Sequence, residues 1–293
     1  MLEKFFKTKF HLRFAINPYI RYLSNNLNEY NGVNILKRET PVIVSLTSYE
    51  ERFNDLELSL YSLLTQRIKP DRIILWLSNN LSLTDLPYKI TKYIKNGLEI
   101  RFVEDLGSYT KIIYTLKEFQ DSIIVTADDD VIYPKNWLEL LYHSYVANPK
   151  DIQVHRAHRV GINNGEIIPY EEWNKHVDEE FSRFDNFLTG VGGVLYPPNC
   201  FCSEVFRKDI FTKYCSTADD VWLWFMALLS NRKIRVVKGH IKTLTCTNIL
   251  RQLNIQKSKT LYKTNRTGNN DRQIENLMKF YKNNIMEKLI GKI

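Results

Sequence analysis

The chain has 293 residues, 44% of them hydrophobic and 13% aromatic, enough to bury one sizeable core with an appended arm. Its four cysteines, Cys200, Cys202, Cys215 and Cys246, form no CxxC pair and have no His-spaced partner, which argues against a zinc site or a disulfide framework and for a reducing cytoplasm. A formal net charge of +8 invites an anionic partner, but no recognised nucleic-acid motif accompanies it, so nucleic acid is not expected.

Between Met1 and Asn25, Lys4, Lys7, Lys9, Arg13 and Arg21 face a single acid, Glu3, and interleave with Phe5, Phe6, Phe10, Leu12 and Phe14. This composition suits either an anionic membrane surface or an arm packed on the domain. No apolar run approaches the ~20 residues that span a bilayer. The expected location is cytoplasmic, at most peripheral at the inner face of the membrane.

A polar, Asn-rich stretch leads to Val42–Leu46, a first buried strand, with a loop from Thr47 to Phe53 at its end. Asn54 and Glu57 are spaced as a capping box ahead of Leu56, Leu60, Leu63 and Leu64, which recur at helical spacing. Ile73–Leu77 is a second buried strand with Ser78 in its exit loop, and a short helix over Pro87–Asn96 ends at Gly97. Glu99–Val103 alternates polar and apolar residues, which predicts a strand at or near the sheet edge, and Ile112, Ile113, Leu116 and Phe119 share one face of the next helix. Strands alternating with helices imply a mostly parallel α/β sheet, Rossmann-like over the first ~150 residues.

The fourth strand, Ile123–Val125, runs into Asp128, Asp129 and Asp130. Ligands of such sheets bind beyond the strands' C-terminal ends, where three adjacent acids repel one another unless a cation joins them. Hard oxygen donors with no nearby Cys or His favour Mg2+ or Mn2+, commonly completed by phosphates. A solvated turn capping the helix near Pro134 is the competing explanation. The Thr47–Arg52 loop, with Thr47, Ser48, Tyr49 and Arg52, and the loop carrying Asp105, Tyr109 and Lys111 leave the same sheet edge. Together they offer hydroxyls, an aromatic face and positive charge, which suit a nucleotide diphosphate. No Gly-rich dinucleotide or P-loop signature is present.

Beyond Pro134, Trp137, Leu141 and Tyr145 mark a helix, Gln153–Ala157 a strand, and 161–187 shows no clear period. Gly190–Pro198 reads as a strand interrupted by glycines, implying close backbone approach at Gly192 and Gly193, beside Tyr196. Val221–Leu229 is apolar on every side, a buried helix opening at Asp219 and Asp220. Thr217 and Asp220 are spaced as a capping box, which gives Asp220 a structural alternative. Ile274, Leu277, Met278, Tyr281, Ile285 and Leu289 make the last segment an amphipathic helix.

Asp128-x-Asp130 after a buried strand resembles the DXD signature of nucleotide-sugar-dependent glycosyltransferases of the GT-A fold, and Pro41 to Val237 is similar to bacterial family-2-like polysaccharide enzymes. The resemblance implies a mixed, mostly parallel sheet flanked by helices. It implies a nucleoside-diphosphate sugar as donor, held over 40–150, and a glycan or lipid-linked acceptor, held over 151–247. An arm and linker over 1–39 and a helical tail over 248–293 flank that 40–247 domain. In such enzymes the first Asp of the motif meets the ribose or the metal and the last binds the metal, which carries over to Asp128 and Asp130. His240 is a candidate third ligand, with Asn270 and Asp271 as rivals. Similar inverting enzymes open a helix with an acidic pair whose second member is the base; here that is Asp220, beside Asp219. Gly192, Gly193, Tyr196 and Arg156 are the expected sugar and acceptor contacts.

Asp128-x-Asp130 also resembles the nucleophile motif of haloacid-dehalogenase-like Mg-dependent phosphatases, although three strands precede it here. A non-catalytic basic adaptor leaves the acids unexplained.

Overall fold

The computed structural model describes residues 17, 19, 20, 22, 27, 30–36, 38–241, 244–248 and 268–291. The basic aromatic arm falls almost wholly outside them, as does the stretch 249–267. Among the described residues no helix is long and apolar enough to cross a membrane.

Strands β1 (Val42–Thr47), β2 (Arg72–Ser78), β3 (Leu98–Val103) and β4 (Ile123–Thr126) pair in parallel, with β1 between β4 and β2 and with β3 at the sheet edge, where its alternation placed it. Side chains alternate along each strand, so Ile123 and Val125 enter the core on one face while Ile124 enters that on the other. Helices fill both faces: α1 (Phe53–Leu64), the short α2 (Tyr88–Thr91), α3 (Thr110–Glu118) and α4 (Trp137–Ala147).

The second half completes a seven-stranded sheet. After the two-residue β5 (Val131–Ile132) come β6 (Ile152–Val154), β7 (Ala157–Arg159) and the small hairpin β8 (Ile162–Asn163) and β9 (Glu166–Ile167). β10 (Asn186–Leu188), β11 (Val194–Tyr196) and β12 (Ile234–Val236) follow, and the sheet order is β12-β6-β11-β4-β1-β2-β3. β11 runs antiparallel to both β4 and β6. Its beginning therefore lies at the edge where β4, β1 and β6 end.

Two helices follow in that half, α5 (Lys208–Tyr214) and α6 (Asp219–Leu229). On α6, Trp222, Trp224 and Phe225 are fully buried. At about 1.5–3 kcal/mol per buried large side chain, that helix anchors the second core. The amphipathic α7 (Asn270–Leu289) buries Ile274, Leu277, Tyr281 and Ile285 in the same core.

Four local expectations are corrected. Helix α1 begins at Phe53 behind a 3-10 turn over Glu50–Arg52 and has no side-chain cap; Glu57 instead accepts bonds from Tyr22 and Lys92, and Asn54 from Lys89. The 87–96 helix splits into α2 and a 3-10 turn over Ile94–Asn96, closed by Gly97 at φ 101°. The strand expected over 153–157 breaks at His155 and Arg156, because β6 pairs with β11 and β12 whereas β7 pairs with β10. Gly190–Gly192 form a 3-10 turn rather than part of β11.

Candidate active site

Beyond the ends of β1 and β4, the first loop and the three acids interlock. Ser48 Oγ donates to Asp129 Oδ2 at 2.6 Å and Arg52 Nη1 to Asp130 Oδ2 at 2.7 Å. The Asp128 backbone is held on both sides, its carbonyl accepting from Ser59 Oγ at 2.9 Å and its N–H donating to the Tyr133 hydroxyl at 2.8 Å. Tyr49 is 52% exposed, with Arg52 Nε donating to its hydroxyl at 3.0 Å. The Arg52 guanidinium also lies over the Tyr49 ring, 5.7 Å from the centroid.

Lys111 joins this cluster to the second half. Its Nζ donates to Asp128 Oδ1 at 2.6 Å and lies 3.4 Å from Asp219 Oδ2. That Asp219 oxygen is buried with no hydrogen-bond partner, so the contact is an ion pair without good hydrogen-bond geometry. Asp220, on the first turn of α6, accepts the Gly190 N–H on Oδ1 at 2.9 Å. Helix α6 has no side-chain cap, and Thr217 meets Asn269 and Gln273 instead, so the expected capping box does not form. Asp220 is thereby aimed at the sheet edge.

The wall around the acids leaves little slack. A Cβ on Gly190 would sit 2.8 Å from Asp220 Oδ1, closer than real Cβ atoms come. Gly193 holds φ at 88°, and a Cβ there would meet Trp137 Nε1 at 2.4 Å, the same nitrogen that donates to the Gly192 carbonyl at 2.8 Å. Gly193→Ala is therefore expected to cost about 2–4 kcal/mol, from left-handed backbone strain plus overpacking against the indole. Chemical denaturation checks this, and an unchanged midpoint would mean the turn relaxes freely.

Burial dominates the electrostatics. It raises the Asp128 carboxyl, with Lys111 opposing and Asp130 adding to the rise. It pushes Asp129 up to about 6 against the pull of Ser48 and Arg52. Asp220 stands well above the ordinary carboxylate range, first from burial, then from Asp219, with Lys111 opposing.

Five carboxylates thus gather against two cations, Lys111 and Arg52. Their hard oxygen donors and residual negative charge fit a divalent Mg2+ or Mn2+. The expected trio of Asp128, Asp130 and His240 does not form. No three His, Cys, Asp or Glu side chains among the described residues are grouped to hold a metal, and His240 Nε2 donates to Asp178 at 2.8 Å. Asp271 accepts the Tyr170 N–H at 2.7 Å. A hard cation needs only one or two carboxylates when phosphate oxygens and water complete its shell.

Two other expected contacts, Tyr109 and Tyr196, prove structural. Tyr109 and Tyr196 are each 1% exposed, the first stacked on Phe211 and bonded to the Cys215 carbonyl, the second packed on Phe201; neither ring has surface to offer a ligand. Thr47 Oγ1 donates to the Trp76 carbonyl, while Asp105 and Ser78 accept backbone N–H groups within their own turns. Arg156 lines a cavity with His155 and His240, its Cβ 3.3 Å from where a Gly192 Cβ would stand. Sequence reasoning missed Gly190, Tyr133 and Trp137. The Gly190-x-Gly192-Gly193 run was a signal for the first, but nothing local announced the other two.

The family model described as glycosyl transferase family 2 matches residues 43–215, more than half of the chain, ending four residues before Asp219. No curated protein sequence matches. Among solved structures, a mannosyltransferase from Pyrobaculum calidifontis is similar at 12% identity and a TM-score of 0.50, over 96% of this chain and 76% of its own. The inositol-1-phosphate CTP transferase from T. maritima gives 12% identity and a TM-score of 0.43, over 80% of this chain and 98% of its own. TarS from S. aureus gives 15% and 0.45, with 70% of this chain covering 57% of that one. The first of these supports the shared GT-A fold, and with more than half of its length matched, the chain belongs to glycosyl transferase family 2 and is a glycosyltransferase.

Proposed function

We propose that the enzyme moves a sugar from a nucleoside-diphosphate sugar to a hydroxyl of a surface polysaccharide or lipid-linked glycan, with inversion and with Mn2+ or Mg2+ as cofactor. One observation carries this reading: the Asp220 carboxylate, pinned by the Gly190 N–H, stands at the same sheet edge as Asp128–Asp130, and its neighbour Asp219 is joined to Asp128 through Lys111. Residues 40–150 then hold the donor and 151–247 the acceptor. Tyr49 stacks on the base, and Ser48 and Arg52 steady the acids that face the diphosphate. The mannosyltransferase of similar fold was solved with GDP-Man and Mn2+, a donor of this class.

Asp220 takes the proton from the acceptor hydroxyl as it attacks the anomeric carbon. Its burial raises its proton affinity toward what that step needs. Asp128 and Asp130 would hold the cation, which when bound neutralises charge on the departing diphosphate. Three strands precede β4 and the acids that follow it, and the chain matches the family-2 transferase model, which argues against a phosphatase nucleophile at Asp128.

Thermal-shift measurement with UDP-, GDP- and CMP-linked sugars, with and without Mn2+, tests the donor. A ligand at 100 times its Kd stabilises by about 2.7 kcal/mol, several degrees for a chain of this size. One nucleotide is expected to raise the melting point, more so with Mn2+, and Asp130→Ala to remove the Mn2+-dependent part. No response to any nucleotide would sink the reading.

A further inference from the structure

Because β6 and β12 run parallel to β4, the turns after them, His155–Arg156 and Lys238–His240, lie at the same sheet edge as the acids. With strands about 4.8 Å apart, β6 stands roughly 10 Å from β4, and the 190–193 turn that leads into β11 lies between. There a cavity of about 170 Å3 is lined by His155, Arg156, His176, Val177, Asp178 and His240.

We propose that this cavity receives a phosphoryl group of the acceptor, held by the Arg156 guanidinium and the His176 imidazole. This rests on the transferase reading above and gives the acceptor a chemical class.

The cavity is built from fixed parts. His155 closes the back wall with both ring nitrogens engaged, Nε2 donating to the Trp137 carbonyl at 3.0 Å and Nδ1 accepting the Ile241 N–H at 3.2 Å. His176 sits in the left-handed region at φ 56°, held there by its N–H donating to His158 Nδ1 at 3.1 Å. Strained backbone that orients a side chain is characteristic of binding sites. Arg156 Nη2 lies 3.0 Å from His176 Nδ1 and 3.4 Å from its Nε2, and the tautomer with its proton on Nε2 accepts the closer of these contacts. The one lining carboxylate, Asp178, accepts from His240 at 2.8 Å.

The local potential is positive. Burial first, then Arg156 and Lys175, hold His176 below the usual histidine range against the opposing pull of Asp178; burial, Lys175, His176 and Arg156 take His158 down to about 3. A carboxylate would satisfy the guanidinium fork alone. A phosphoryl group has three strong acceptor oxygens and can take the guanidinium and an imidazole N–H from a second element together.

Binding of inorganic phosphate, acetate, a monoalkyl phosphate and a dialkyl phosphate is measured by calorimetry on wild type, Arg156→Gln, His176→Gln and Asp130→Ala, with unfolding curves as a control for folding. Phosphate is expected to bind wild type and Asp130→Ala alike, and Arg156→Gln about 10- to 100-fold more weakly, as for a lost charge-assisted hydrogen bond. His176→Gln tests the same site if Arg156→Gln does not fold. A preference for the monoalkyl ester indicates a terminal acceptor phosphate, and one for the dialkyl ester a phosphodiester. Equal binding by acetate, no phosphate binding, or binding lost in Asp130→Ala but kept in Arg156→Gln overturns the proposal. The nucleotide-sugar thermal shift on the same samples separates the readings: a donor response without phosphate binding defeats this inference alone, and phosphate binding without a donor response defeats the transferase reading.

Discussion

Asp220→Asn is expected to lower turnover about 10²- to 10⁴-fold, the contribution usual for a general base, while leaving donor binding intact. Asparagine keeps an oxygen at Oδ1 to accept the Gly190 N–H that Asp220 accepts at 2.9 Å, so the 190–193 turn and the start of α6 should hold their places. The charge is what disappears. Burial and Asp219 raise this carboxyl well above its ordinary range, with Lys111 opposing. A group whose folded pKa is raised contributes stability that is full below its unfolded pKa and is lost as pH climbs through the folded value. Turnover needs the deprotonated form. In the wild type, activity should therefore rise over the same interval in which stability falls. The variant should lose the rise in activity and Asp220's share of the stability slope, leaving the shares of Asp128 and Asp129, with an unfolding free energy at high pH equal to or above that of wild type. A variant that turns over normally would remove the base, and one that unfolds more readily at high pH would mean the carboxylate is stabilising as an ion.

Much of this arrangement was legible in the sequence because it depends on local pattern. Ile123–Val125 could only be a buried strand, and a buried strand ending in three acids places them where α/β sheets bind ligands. Asp219–Asp220 before an all-apolar helix was visible in the same way. What eluded the pattern were contacts made across the sheet. The Asn54 and Thr217 capping spacings were correct as spacings, but tertiary partners claimed those side chains: Lys89 for Asn54, Asn269 and Gln273 for Thr217. Tyr109 and Tyr196 looked like ligand contacts because aromatic residues serve both pockets and cores, and burial alone separates the two uses. His155–Arg156 looked like strand until β7 turned away to pair with β10. The role of Lys111 was half visible, since its position on the binding edge is local, but its two carboxylate partners come from residues 17 and 108 positions away.

Lys111 carries the second large effect. Its ammonium is 7% exposed as a residue and sits between Asp128 and Asp219, the only described ion-pair partner of each. Lys111→Met keeps the length and apolar body of the side chain and deletes the charge, leaving two partly buried carboxylates without this counter-ion. Breaking a fully buried pair from one side costs about 3–5 kcal/mol, and with Asp128 a quarter exposed the loss here should be about 2–4 kcal/mol, still large against the 5–15 kcal/mol of a typical domain. The loss should depend on pH with a definite sign. Without Lys111 the folded pKa of Asp128 rises further, so the variant is least stable at high pH and recovers as acid neutralises the cluster. Because Lys111 also opposes the raised pKa of Asp220, any activity that survives should have its rise displaced to higher pH. Denaturant unfolding of Lys111→Met, Asp219→Asn and the double variant at several pH values measures the coupling. The double variant is expected to recover part of the loss, since one of the two stranded charges is gone. Strict additivity, or a Lys111→Met loss that is flat with pH, would mean that the ammonium stabilises the edge by packing and not by joining the donor acids to the acidic pair.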